Sequence, residues 1–106
     1  MNCIYLIGSK ETSLYKIGVT DNKGIQIRLL NIQVGCPYKI EIIDSFSTPY
    51  AYEVEGIIHR SLSSNKEDAN GVPLRGEWFY LGLEEVYGFQ EKCLFNESNY
   101  KIVKDL

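Results

Sequence analysis

Cys3-Ile4-Tyr5-Leu6-Ile7, followed after a polar turn by Leu14-Tyr15-Lys16-Ile17-Gly18-Val19, is the stretch that decides the fold. Both runs are rich in β-branched and aromatic side chains, which suit a pleated, half-buried surface. Only Gly8 to Ser13 separates them, so they read as an antiparallel hairpin. Thr20, Asp21 and Asn22 then offer side-chain oxygens to cap a helix. Across residues 24–34, Ile25, Leu29 and Ile32 share one helical stripe that Leu30 widens. Gly35 and Pro37 stop that helix.

Residues 39–47 read as a third strand. Thr48 is expected to cap a second helix with Pro49 at its first position, where a backbone N–H is not needed. Val54, Ile57, Ile58, Ser61 and Leu62 form the expected buried face. A polar loop over residues 63–75 leads to a short strand, Trp78-Phe79-Tyr80-Leu81. A helix is expected around residues 83–94, weakened by Gly88, and Tyr100 to Val103 reads as a short edge strand. The sum is a small α/β domain over residues 1–106. Its mixed sheet of three to four strands opens with an N-terminal antiparallel hairpin and is flanked by helices.

A chain of 106 residues is one domain, long enough to bury roughly two thirds of its unfolded surface without staples. Cys3, Cys36 and Cys93 are scattered and form no Cys-x-x-Cys pair, which argues against a disulfide framework or a zinc finger. Free thiols in a reducing compartment follow. The N-terminus lacks the basic and apolar regions of a signal peptide. No apolar run approaches the roughly 20 residues of a bilayer span. The expectation is a cytoplasmic protein with no membrane partner.

The net charge of −3 is unevenly spread. Residues 1–40 carry five basic side chains against two acidic ones, and residues 41–106 carry six against twelve. An acidic chain does not coat DNA through a broad positive field. A focused site can still hold one phosphate, the more so if a metal ion neutralises carboxylates there.

In order along this framework come Ile4-Tyr5, then Tyr15-Lys16-Ile17-Gly18-Val19-Thr20, Arg28, Glu55-x-x-x-His59 and Gly76-Glu77-Trp78-Phe79. Over about residues 3–82 this set resembles the GIY-YIG nuclease superfamily. More narrowly, it looks like the small branch named after a phage T-five open reading frame and a fungal meiotically up-regulated gene. Cys3 stands where the first motif has glycine, and Lys16 where the second has tyrosine. The resemblance implies a divalent-metal-dependent DNA endonuclease, with one Mg²⁺ or Mn²⁺ held by Glu55. It further implies catalytic roles for Tyr5, Lys16, Arg28 and His59.

Each residue also has a direct physical reading. The Tyr5 phenol can order or deprotonate a water, and reads equally as a half-buried strand aromatic. Lys16 can contact phosphate, or act as a base if burial lowers its pKa. Tyr15 is an alternative nucleic-acid contact, although neighbouring strand residues point to opposite faces. Gly18 lets a phosphate approach the backbone, or marks a strand bend. Arg28, at the edge of its helical stripe, can lean over the sheet to a non-bridging oxygen.

Glu55 and His59 are helix neighbours four residues apart. A carboxylate with waters suits Mg²⁺, and a histidine there can orient water or serve as a hydrogen-bonded helix residue. Arg75 is a candidate backbone-phosphate contact. Trp78 and Phe79 close the core, unless one ring is an exposed stacking platform. Two other functions fit the same residues: a non-catalytic DNA-binding module, and a phage-type protein-interaction or inhibitor protein. High specificity from so small a domain would need a protein partner or self-association.

Overall fold

Strand β1 (Asn2–Ser9) pairs with β2 (Leu14–Asp21) on one side and β3 (Glu41–Ser47) on the other. β2 in turn pairs with the short β4 (Trp78–Tyr80), giving the sheet order β3-β1-β2-β4. The structure is a computed structural model covering all 106 residues. The expected fold class and N-terminal hairpin are present. All three pairings are antiparallel, so the strand directions alternate throughout rather than mixing. In the hairpin register Tyr5 lies opposite Gly18 and Ile7 opposite Lys16, which puts these four on one face.

Because β1 is interior and covered on both faces, its apolar run is unbroken instead of alternating. Ile4 and Leu6, with Tyr15 and Ile17 of β2, face α2 (Ala51–Ser61) and α4 (Phe89–Lys104). There they meet Val54, Ile58, Leu62, Phe79, Phe89 and Cys93 in the larger core. Tyr5 and Ile7 face the other way. With Ile40 they form a smaller core against Ile25, Leu29 and Ile32 of α1 (Ile25–Val34).

A single 3-10 turn at Asn22–Gly24 precedes α1, and the Asp21 carboxylate accepts the Lys23 N–H at 2.8 Å. At the other end Gln33 staples the connection to β3. Its amide donates to the Tyr38 carbonyl and accepts from the Ile40 N–H, each at 2.8 Å. The chain between α1 and β3 is therefore tied down rather than free.

Several sequence expectations need correction. Leu30 is 65% exposed, so it does not widen the stripe that α1 buries. Thr48 caps a turn, not the helix. Its hydroxyl accepts from the Tyr50 N–H at 3.2 Å, and α2 begins two residues later than expected, at Ala51. Ala51, Val54, Ile58 and Leu62 are the fully buried positions, whereas Ser61 is exposed. Gly88 divides the last helical region into α3 (Leu83–Tyr87) and α4. Tyr100 to Val103 lie within α4 and not in a strand. The Tyr100 ring packs on Tyr50 at 5.3 Å, and a Glu97–Lys101 ion pair at 3.5 Å adds helical support. Cys3 and Cys93 are buried, Cys36 is half-buried, and all three are free thiols. No helix is long and apolar enough to cross a membrane.

Ile58 has no exposed surface and anchors α2 to the sheet. Ile58→Ala should lower unfolding free energy by about 3 kcal/mol, read from the midpoint of a urea titration. The exposed Ser61→Ala should shift it by no more than about 0.5 kcal/mol.

Candidate active site

β4 is short, and its pairing with β2 covers only Leu14, Tyr15 and Lys16. Beyond Lys16 no strand covers the outer edge of β2, so the backbone of Ile17 must find partners elsewhere. Its N–H donates to the Glu77 carbonyl at 3.0 Å, and its carbonyl accepts from His59 Nε2 at 2.7 Å. Gly18, next in the chain, leaves room for the Tyr5 phenol. A Cβ there would collide with the Tyr5 hydroxyl and come within 2.8 Å of Glu77 Oε1. At this gap, side chains from both faces of the sheet meet around its edge.

His59 and Glu55 arrive from α2. Glu55 Oε1 lies 3.2 Å from His59 Nε2, and the side-chain ligand atoms of Glu55, His59 and Glu77 all fall within 4.8 Å of one another. Lys16 Nζ approaches Glu77 Oε1 at 3.9 Å. A carbonyl oxygen only accepts, so the bond to Ile17 places the proton on His59 Nε2. That N–H also faces Glu55, and the ring is held edge-on against Phe79 at 4.9 Å. Nε2 therefore has no lone pair to offer a metal, and it lies against the Glu55 carboxylate at 3.2 Å. The oxygen donors are the two carboxylates, which suit a hard cation such as Mg²⁺ or Mn²⁺.

The electrostatics of the cluster agree with that donor set. Burial raises the Glu55 pKa above the ordinary carboxylate value, His59 opposes the rise, and the Glu77 charge adds to it. Crowded, partly desolvated carboxylates are a condition that a divalent cation relieves. The Tyr5 phenol is pushed up to about 12, first by burial and then by Glu77, with Glu55 adding and Arg28 opposing. It is protonated at neutral pH, with Glu77 the strongest charge acting on it.

Tyr5, Lys16, Gly18, Glu55 and His59 are thus brought together as one group. Arg28 stands beside them, exposed and in no ion pair, close enough to act on the Tyr5 phenol. Arg75 lies outside the carboxylate cluster, exposed at the end of the loop. Tyr15 does not belong to the site. Strand alternation turns it to the opposite face, 1% exposed inside the larger core, where no phosphate reaches it.

Sequence reasoning named Glu77 only within the Gly76-Glu77-Trp78-Phe79 motif and gave it no role at the site. The available signal was its place directly after Gly76, which adopts a left-handed φ of 61° that turns the chain into β4. Lys66 clamps this turn by donating to the Gly76 carbonyl at 2.8 Å and to the Trp78 carbonyl. Its ammonium also sits over the Phe79 ring, 4.4 Å from the centroid. The backbone on both sides of Glu77 is therefore fixed.

The raised Tyr5 pKa has a definite sign in stability. The folded value of about 12 exceeds the unfolded value of about 10. The stabilisation is therefore complete below pH about 10 and is lost as pH rises toward about 12. In chelator, the tyrosinate absorbance titration of wild type minus Tyr5→Phe should show one late group near pH 12. A difference curve with an ordinary midpoint near about 10 would contradict this environment.

No curated protein and no solved structure matches the chain significantly. The T5orf172 domain matches residues 2–93, which span the whole sheet and every residue of the edge cluster. With that span matched, the chain belongs to the T5orf172 domain family.

Proposed function

We propose that the chain is a divalent-metal-dependent phosphodiesterase that cleaves DNA as an endonuclease. The family suggests a nuclease-like or DNA-binding module. One observation carries the finer reading: Tyr5, Glu55, Glu77 and His59 converge at the open edge of β2, with Lys16 and Arg28 alongside.

Phosphodiester hydrolysis needs an oriented water and positive charge facing the non-bridging oxygens as negative charge grows in the transition state. Glu55 and Glu77 would hold one Mg²⁺ or Mn²⁺, which supplies Lewis-acid polarisation of the phosphate when bound. Lys16 and Arg28 provide the remaining charge, Arg28 through the planar fork that suits phosphate. The Tyr5 hydroxyl donates toward Glu77, leaving its oxygen lone pair to accept from the attacking water and set its direction. His59, anchored on the Ile17 carbonyl, keeps Glu55 in place as a positioning residue. Lys16 takes the place of the motif's tyrosine, a change that specifically favours a second reading in which the site grips a DNA backbone without cutting it.

Nicking of supercoiled plasmid with Mg²⁺ or Mn²⁺ separates the two readings. Wild type should nick, and Glu55→Gln, folded by circular dichroism, should lose about 100-fold or more in rate. Full activity in Glu55→Gln would remove Glu55 from the mechanism. Salt-sensitive DNA binding without nicking by wild type would establish the grip.

A further inference from the structure

Beside the edge cluster, on the α1 face of the sheet, lies a groove of about 530 Å³. It is bounded by β2, the end of α1, the turn at residues 35–38 and the loop at residues 73–75. Lys16, Arg28 and Arg75 line it and no carboxylate does, in a chain whose net charge is −3. Arg28 and Arg75 take part in no ion pair, so both guanidiniums are free for an anion. Trp78, the only tryptophan in the chain, also lines the groove. It packs into neither hydrophobic core, whereas its neighbour Phe79 is buried in the larger one. Tyr38 contributes a second ring, on the segment that Gln33 ties to α1.

The groove joins the edge cluster directly. Lys16 lines it and reaches Glu77 at 3.9 Å, and Trp78 follows Glu77 in the chain. Free cations and an uncommitted indole are the complement of a nucleotide, with its phosphate and flat base. The volume falls within the roughly 300–1,000 Å³ of small-ligand sites. A base inside a duplex has both faces stacked and offers none to an indole, so the occupant must be unpaired.

We propose that this groove is a subsite for one unpaired DNA nucleotide next to the phosphate at the edge cluster, with the base on Trp78 and backbone phosphate on Arg28 and Arg75. The inference rests on the nuclease reading and narrows its substrate to DNA with a single-stranded or extruded nucleotide at the cleavage point. Trp78 sets that preference by stacking, which tolerates any base, so the subsite selects strand state and not sequence.

Emission from Trp78 is the whole tryptophan signal of the protein and therefore reports this groove alone. Wild type and Glu55→Gln, in chelator so that nothing is cut, are titrated with oligodeoxythymidylate of about eight nucleotides and with a blunt duplex of equal length. Saturable quenching is expected, with the single strand bound about 10-fold or more tighter than the duplex. Arg75→Glu, a change at an exposed side chain, should weaken single-strand binding by about 10-fold. Equal affinity for duplex, binding without a change in tryptophan emission, unaltered binding by Arg75→Glu, or no binding at all would each overturn the subsite. None of these bears on plasmid nicking, so the nuclease reading stands or falls separately.

Discussion

A sheet edge leaves backbone donors and acceptors without partners, and a folded protein must satisfy those that are shielded from water. Here that constraint falls on Ile17. Had β4 run further, its ladder would have covered Ile17 and Gly18 and closed the place where the side chains now meet. Because β4 is short, the Ile17 carbonyl takes its hydrogen bond from a side chain, His59, and the Ile17 N–H takes its from the chain entering β4. One bond fixes the imidazole and through it Glu55. The other fixes the backbone of Glu77. The two carboxylates are thus positioned by the same backbone unit, which also leads directly into Gly18 and the phenol lying over it.

Much of the fold was legible because it follows from periodicity. The β1 and β2 runs, the stripe of Ile25, Leu29 and Ile32, and the core positions Val54 and Ile58 all register in composition and spacing. What misled was local chemistry overridden by tertiary contacts. Thr48-Pro49 is a good helix start in isolation, yet the buried Thr48 is spent on the turn before α2. Tyr100 to Val103 are β-prone residues held in a helix by an ion pair and by the Tyr50 ring.

The candidate site was legible residue by residue and not as a shape. Tyr5, Lys16, Glu55 and His59 could be named from their motif positions. The sequence marked a short strand from Trp78, but spacing alone does not show that its stop lets a helix on one face meet a phenol on the other. Glu77 stood in a motif without a role, because the turn at Gly76 and the Lys66 clamp that fix it are tertiary features that spacing does not show. Tyr15 was offered as an alternative contact on its motif position, and the strand alternation noted beside it in the sequence is what turns it into the core.

Lys16 joins these strands of reasoning, since it stands where the resembled motif would have a tyrosine. A phenol at that position would contribute a hydroxyl near neutral pH and no charge. A lysine contributes a compact cation that pairs with Glu77 on one side and lines the basic groove on the other. In a chain that is acidic overall, this is how a polyanion can be drawn to the carboxylates it would otherwise avoid. Within the groove the charge is of one sign, from Lys16, Arg28 and Arg75, and it ends where Glu77 begins. A phosphate held at Lys16 therefore lies at the boundary between the two fields. There a cation on the carboxylate side and cationic side chains on the groove side can share its charge.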